Sequence, residues 1–168
     1  MQRICVVGCG GSGKSTLSNK LEEILDLPIY YLDTFFYEAG WVEVEKDIFV
    51  QRLSEIVIKD KWIIDGNFTE TMDMRFEKAD TIIFLDYPRW LNLYGVFTRS
   101  IKDYGKIRED MAEGCFECFD WKLIKHVYNF KKQSRPQVLE KIKKFSFKCD
   151  VIILTSRKEA KTWLESLL

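Results

Sequence analysis

Short apolar runs alternate along the chain with stretches whose apolar residues recur at helical spacing. The first run, residues 3–7, is mostly apolar, which is typical of a strand buried on both faces of a sheet. We predict five such strands, at residues 3–7, 29–32, 62–64, 81–85 and 151–154. Strands that alternate with helices predict an α/β fold in three layers, with a five-stranded parallel sheet covered by helices on both faces.

Helical spacing is clearest between the predicted strands. The first helix carries Leu17, Leu21 and Ile24 and ends at Leu27-Pro28. Further helices are predicted over residues 47–58, about 69–78, 88–102, and from about 120 to a break at Pro136. The helix over 88–102 places Leu91, Tyr94, Phe97 and Ile101 on one side, and Ser156 with Glu159 forms a capping box for the last helix.

A glycine-rich segment, GCGGSGKST at residues 8–16, lies between the first strand and the first helix. It matches G-x-x-x-x-G-K-[ST], the phosphate-binding loop (P-loop), at its four fixed positions. Glycines allow consecutive backbone N–H groups to turn inward around a polyphosphate. The residues expected to contact a nucleotide are Gly8, Gly10, Gly11, Ser12, Gly13, Lys14, Ser15 and Thr16.

Two side chains of this loop have specific expected roles. Lys14 adds a mobile positive charge for the phosphates, and Ser15 offers a hydroxyl to Mg²⁺. The helix that begins there also presents unpaired N–H groups and the positive end of its dipole. The loop by itself therefore predicts a bound polyphosphate, and we expect the ligands to be ATP and Mg²⁺.

Three predicted strands end in aspartate: Asp33, Asp65 and Asp86. Ligands of open α/β sheets bind beyond the carboxyl ends of the strands, and acids beside a polyphosphate need a cation between them. We assign Asp65 to Mg²⁺, with a helix cap or turn as the alternative, and Asp33 to the phosphoryl acceptor, as a base or else as a cap. Asp86 is either a second metal-facing acid or part of the Asp-Tyr-Pro turn.

Phosphoryl transfer also requires positive charge on the transferred group. Residues 104–117 are polar, contain two glycines and show weak periodicity, which favours a mobile lid within about residues 103–135. Arg99 on the preceding helix, Arg108 within the lid and Arg135 beyond it are the candidate catalytic arginines, although any one alone is more often a surface residue.

Composition and length describe an ordinary globular chain. The 168 residues, 46% of them apolar and 31% charged, are expected to form one domain over 1–168. No apolar run is long enough to span a bilayer, so no membrane contact and a cytoplasmic location are expected. Five cysteines form a poor disulfide framework, and Cys115 with Cys118 is either half of a zinc site or an ordinary pair.

The charge is unevenly distributed although the net charge is zero. Residues 121–148 hold nine Lys or Arg and one acid, Glu140. A solvated helical face is the simplest interpretation, followed by a phosphate-facing surface. A nucleic-acid patch is the least favoured of the three, because the whole chain lacks the basic balance of such proteins.

Several longer motifs carry a resemblance: LDTFFYEAGWVEV, WIIDGNFTETMDMRFEKADTIIFLDYPRW, REDMAEGC and SRP. With them the chain resembles, over nearly its whole length, the bacterial DNA topology modulation proteins (FlaR-related), small P-loop proteins similar to adenylate and nucleoside kinases. The resemblance implies a sheet order of 2-3-1-4-5, phosphate and metal roles for Lys14, Ser15 and Asp65-Gly66, and lid roles for Arg99 and Arg108.

The chain departs from adenylate kinases after Asp65-Gly66. Those enzymes continue with Phe-Pro-Arg, whereas here the run is Asn67-Phe68-Thr69, so the acceptor arginine is missing and Arg75 is the available substitute.

Three functional hypotheses follow. The leading one is an ATP-dependent, Mg²⁺-requiring kinase whose partners are ATP and an unidentified small acceptor of the nucleoside or nucleotide type. The aromatic residues Phe35, Phe36, Tyr37 and Trp41 would form the acceptor wall, with core packing as the alternative. The others are a nucleotide-binding regulatory protein that affects DNA topology, with direct DNA binding not favoured, and a plain NTPase.

Overall fold

The computed structural model describes all 168 residues, Met1–Leu168. Its main sheet has five strands: β1 (Arg3–Gly8), β2 (Ile29–Tyr31), β5 (Trp62–Asp65), β6 (Thr81–Leu85) and β7 (Asp150–Leu154). Every neighbouring pair in this sheet is parallel, in the order β2-β5-β1-β6-β7. Counted among these five strands the order is 2-3-1-4-5, as predicted. Two short strands, β3 (Tyr37–Glu38) and β4 (Val42–Glu43), form a separate antiparallel hairpin.

Eight α-helices surround the sheet, and none is both long and apolar enough to cross a membrane. They are α1 (Lys14–Leu25), α2 (Leu32–Phe36), α3 (Lys46–Val57), α4 (Met72–Lys78, after a 3₁₀ turn at Thr69–Thr71), α5 (Arg89–Lys102), α6 (Trp121–Gln133), α7 (Arg135–Phe145) and α8 (Arg157–Glu165).

Two predicted boundaries were wrong. The second strand ends at Tyr31, and Asp33 lies in the short helix α2 rather than at a strand end. The helix break near Pro136 falls earlier, at Ser134, and Pro136 lies in the first turn of α7. A proline is tolerated in a first turn because its missing N–H would have no partner there.

The sheet is covered on both faces, with a separate apolar cluster on each side. Ile4 and Val6 of β1 pack with α1 and α8, whereas Cys5 and Val7 pack with α3, α4, α6 and α7. Successive side chains of a strand point to opposite faces, so β1 contributes equally to both clusters. This arrangement explains why its sequence is apolar throughout instead of alternating.

Helix α5 leaves Tyr94, Phe97 and Ile101 exposed, whereas Leu91 packs against one of the two apolar clusters. Tyr94 is 57% exposed and Ile101 is 78% exposed, whereas Asn92, Val96 and Ser100 are buried. The reason is the close approach of α5 to the phosphate loop: a Cβ placed on Gly95 would lie only 2.1 Å from the carbonyl oxygen of Gly11. At Gly95 there is consequently no room for a side chain.

Residues 121–133 of the predicted lid form α6, so its irregular part is residues 103–120. We call these residues the α5–α6 segment. The segment contains one isolated antiparallel bridge, between Ile107 and Phe116. It is bound to the β3–β4 hairpin: Gly40 N donates to Gly114 O at 3.2 Å and Trp41 Nε1 donates to Phe116 O at 3.1 Å. These hydrogen bonds hold the segment against the hairpin.

We expect Gly95→Ala to destabilise the protein by about 1–3 kcal/mol, as overpacking of a tight contact does. The sign is diagnostic, because Gly→Ala inside a helix normally stabilises by about 1 kcal/mol. Urea unfolding measures the change, with Thr162→Ala on the exposed face of α8 as the control, expected to stay within about 0.7 kcal/mol of the parent. A stabilised Gly95→Ala variant would contradict the close approach.

Candidate active site

The phosphate loop runs from Gly8, at the end of β1, to Lys14, where α1 begins. Gly13 precedes α1 with φ of 89°, in the left-handed region, and no side chain caps the helix. The first N–H groups of α1 consequently have no partner from a side chain, and a Cβ on Gly13 would point into open space. An anion with several oxygens fits such a helix start.

A cleft of about 880 Å³ opens above this loop. From the loop it is lined by Gly10, Gly11, Gly13, Lys14, Ser15 and Thr16, whereas Gly8 and the buried Ser12 lie behind the surface. Nearly all other lining side chains are polar or charged. With Lys14 of the loop, seven lining side chains are basic, namely Lys14, Lys20, Arg99, Lys102, Lys106, Arg108 and Arg157, and six are acidic, namely Glu23, Asp33, Asp65, Asp103, Glu109 and Asp110. The uncapped helix start and the basic side chains beside it suit a polyphosphate, and the acids of the same cleft would need a cation between them and the phosphates.

Asp65, the last residue of β5, lines the cleft although it is only 4% exposed. Its carboxylate accepts a hydrogen bond from Ser18 Oγ of α1 at 3.1 Å. Burial raises the pKa of Asp65 to about 6, although the nearby Lys14 charge opposes the shift. A buried carboxylate of this kind gains from a bound cation, and with the Ser15 hydroxyl it supplies the one or two protein oxygens that Mg²⁺ usually takes beside phosphates and water.

Asp33 reaches the same cleft from α2. Burial raises the pKa of its carboxyl above the ordinary value, whereas the positive charges of Lys14, Arg108 and Arg99 oppose that shift. Lys14 itself donates from Nζ to Cys9 O at 3.1 Å. The structure thus brings Lys14, Asp33 and Asp65 together as the sequence predicted, although Asp33 comes from a helix.

Sequence reasoning missed an acid of the α5–α6 segment. Ser15 Oγ donates to Asp110 Oδ2 at 2.6 Å, so residues 95 positions apart meet at the phosphate loop. Arg108 pairs with the same carboxylate at 3.1 Å. The alternation of Arg108 and Asp110 in a polar loop was the available signal, but only the fold shows that this loop returns to Ser15.

The candidate lid arginines, Arg99 and Arg108, both line the cleft. They share a partner that was also missed, Glu117, which lies 3.4 Å from Arg99 Nε and 2.9 Å from Arg108 Nε. Glu117 is only 3% exposed. A lone glutamate at the end of a polar loop gave no signal of burial in the sequence.

The third predicted arginine lies elsewhere. Arg135 donates from Nε and Nη2 to the carboxylate of Asp86, with distances of 2.7–3.0 Å, and neither residue lines the cleft. Arg75, the suggested acceptor arginine, is fully buried and donates to the carbonyl oxygens of Gly66 and Phe68. That suggestion was wrong, because the guanidinium of Arg75 holds the β5–α4 loop.

The predicted acceptor-wall aromatics do not line the main cleft. Phe36 packs on Phe49 and Phe68, with ring centroids about 5 Å apart, and borders a second cavity of about 360 Å³. Phe35 packs against the core, and Tyr37 packs edge-on against Trp41 at 5.4 Å.

The two remaining sequence features lie outside the cleft. Cys115 is buried and donates from Sγ to Glu38 O at 3.3 Å, Cys118 is exposed, and no group of three or more His, Cys, Asp or Glu side chains is arranged to hold a metal ion. In the basic segment, Lys141 and Lys144 lie 3.0 and 3.7 Å from Asp73 of α4. These two lysines join α7 to α4, which is a structural use of part of the positive charge.

The sheet order, the phosphate loop between β1 and α1, and the charged cleft above it define the fold of a P-loop kinase. No protein-family model matches the chain, and no curated protein matches it. The narrower resemblance to the DNA topology modulation proteins therefore stays a prediction.

Among solved structures, the chain is similar to shikimate kinase from Acinetobacter baumannii in complex with shikimate, at a TM-score of 0.61 and 16% identity, over 99% of this chain and 90% of that one. A gluconokinase from Sinorhizobium meliloti 1021 aligns at a TM-score of 0.58 and 15% identity, covering 99% and 93% of the two chains. Shikimate kinase from Bacteroides thetaiotaomicron aligns at 0.53 and 18% identity, covering 99% and 95%. At such identities the likeness establishes the fold.

We expect the raised pKa of Asp65 to make stability fall as pH rises from about 4 to about 6. In that window the unfolded chain has released the proton that the folded protein still holds, so rising pH favours unfolding. Asp65→Asn keeps an oxygen for Ser18 and removes the buried charge. The variant should be more stable than the parent by about 1–3 kcal/mol above pH 6, with little difference below pH 4.

Urea unfolding in chelator-containing buffer between pH 3.5 and 7.5 measures this difference. Asp60→Asn, at an exposed position, is the control and should change stability by less than about 0.5 kcal/mol at every pH. A constant difference between Asp65→Asn and the parent across the range would rule out titration of Asp65 as its origin.

Proposed function

We propose that this protein is an ATP-dependent, Mg²⁺-requiring kinase that transfers the γ-phosphate to a small acceptor of the nucleoside or nucleotide type. The observation that carries the proposal is the uncapped phosphate loop opening into a cleft that also holds Asp33, Arg99 and Arg108. A protein that only binds a nucleotide needs the loop, but it does not need an acid and two arginines facing it.

The phosphate loop would hold the polyphosphate of ATP. Backbone N–H groups of the loop and the start of α1 bind its oxygens, and Lys14 swings from Cys9 O onto the outer phosphates. Mg²⁺, when bound, offsets the phosphate charge, with Ser15 and Asp65 as its protein ligands. The bond between Ser15 and Asp110 has to open for this, which frees the Ser15 hydroxyl.

Asp33 would act on the acceptor. Its carboxylate orients the acceptor hydroxyl and takes its proton as the phosphoryl group is transferred. Arg99 and Arg108 contribute positive charge to the transferred group from the α5–α6 segment, which acts as the lid within one domain over 1–168. Arg135 acts through Asp86, at the end of β6, and is proposed to position that strand end.

The first test is loss of the charge on Lys14. We expect Lys14→Ala to weaken ATP binding about 10- to 100-fold, the value of one or two charge-assisted hydrogen bonds. Isothermal titration with Mg²⁺ and ATP measures the affinity. Lys161→Ala, on the exposed surface of α8, is the matched control and should bind as the parent does. Unchanged ATP affinity in Lys14→Ala would refute the proposed function.

The second test separates transfer from binding. A panel of nucleosides, nucleotides and small hydroxylated acceptors with labelled ATP identifies the substrate that accepts the phosphoryl group. With that acceptor, Asp33→Asn should lower the transfer rate about 10²- to 10⁴-fold, the usual value of a general base, while ATP affinity changes less than about threefold.

Asp60→Asn is the control for this second test and should transfer at the parent rate. Equal transfer rates in Asp33→Asn and the parent would remove Asp33 from the mechanism. Labelled phosphate appearing only as free phosphate, with every acceptor, would instead identify a plain NTPase.

A further inference from the structure

Glu117 is a buried acid that contacts two arginines of the cleft lining, Arg99 and Arg108. Its Oε1 accepts a hydrogen bond from Ser100 Oγ of α5 at 3.0 Å and lies 3.4 Å from Arg99 Nε. Its Oε2 lies 2.9 Å from Arg108 Nε as an ion pair, without the geometry of a hydrogen bond. Each carboxylate oxygen thus faces a different arginine, and those arginines come from α5 and from the α5–α6 segment.

The backbone of Glu117 is fixed as firmly as its side chain. Glu117 N donates to Lys106 O at 2.8 Å, and Gly105 N donates to Glu117 O at 2.9 Å. These two bonds join residues 105–106 to residue 117, and Arg108 lies in the loop between them. The carboxylate is therefore held between residues 105–106 and helix α5.

The contacts leave particular nitrogens of the arginines available to a ligand. Both guanidinium groups face Glu117 through Nε. The side chain of Arg99 makes its only hydrogen bond through that atom, and Arg108 directs Nη1 to Asp110, 3.2 Å away, beside Ser15. An arriving phosphate competes with Asp110 for Arg108 and leaves Glu117 in place.

Two arginines that line one cleft repel each other: burial lowers the pKa of Arg99, and the charge of Arg108 lowers it further. An acid between them offsets that repulsion and restricts both side chains, whose free rotation is otherwise costly to lose on binding. Arg99 and Arg108 converge because a single carboxylate lies between them.

We propose that Glu117 is the positioning residue that holds Arg99 and Arg108, by their Nε edges, with their terminal nitrogens directed at the phosphate transferred in the proposed kinase reaction. The inference rests on that proposed function. It assigns to Glu117 an effect on ligands that carry the γ-phosphate and little effect on ligands that lack it.

The test compares ATP with ADP. We expect Glu117→Gln, which removes the charge at nearly constant volume, to weaken binding of Mg²⁺-ATP about tenfold and binding of ADP less than about threefold. Glu117→Asp, which keeps the charge one methylene short, should show the same preference with a smaller loss. Asp73→Asn is the control, because Asp73 is likewise an acid between two cations, Lys141 and Lys144, outside the cleft.

A double substitution separates positioning from a structural role. In an Arg99→Ala, Arg108→Ala background, Glu117→Gln should leave ATP affinity unchanged, because the groups through which it acts are gone. Equal weakening of ATP and ADP by Glu117→Gln, or a loss that persists without the arginines, would overturn the proposal. If Glu117→Gln does not fold, Glu117→Asp decides by the same ATP-to-ADP comparison.

Failure of this inference and failure of the proposed function give different results. A protein that binds ATP through Lys14 and ignores the change at Glu117 retains the kinase proposal and loses the positioning role. A protein whose ATP affinity is unchanged by Lys14→Ala loses both.

Discussion

The close approach of helix α5 to the phosphate loop is the constraint on which the rest of the site depends. Gly95 and Gly11 are in backbone contact, so position 95 of α5 cannot carry a side chain unless the loop moves. The same contact fixes the height of Arg99 above the loop, since Arg99 lies one helical turn beyond Gly95. A larger residue at Gly95 would displace the loop and this arginine together.

That constraint also explains the outer surface of α5. With the inner face reserved for the loop, Tyr94 and Ile101 are left in contact with solvent. Apolar periodicity identified the helix correctly, but the periodicity reports a stripe of side chains and not which neighbour the stripe faces. Backbone-to-backbone contact, here signalled only by a glycine inside a helix, outweighed the apolar preference.

Much of the fold and part of the site were predictable from the sequence for a common reason. The alternation of strands and helices, the phosphate loop and the position of Asp65 at a strand end follow from local patterns combined with the rules of parallel sheets, whereas the strand order was implied by the family resemblance. Asp110 and Glu117 were not predictable, because each acquires its role from a partner far along the chain, Ser15 in one case and the Arg99–Arg108 pair in the other. Arg75 is the opposite case: the sequence suggested a ligand contact for it, whereas tertiary packing buries it against the carbonyl oxygen of Gly66.

The distribution of charge in the cleft connects stability with the proposed function. Asp33 and Asp65 are both buried enough to raise their carboxyl pKa values, which costs the folded protein stability at neutral pH. Such a cost is typical of groups arranged for a ligand rather than for each other. Glu117 differs from them, because its charge is matched within the protein by two arginines. Asp33 and Asp65, which line the cleft, have no ion pair within the protein and would gain from binding a metal ion, whereas Glu117, behind the lining residues Arg99 and Arg108, already has two cations.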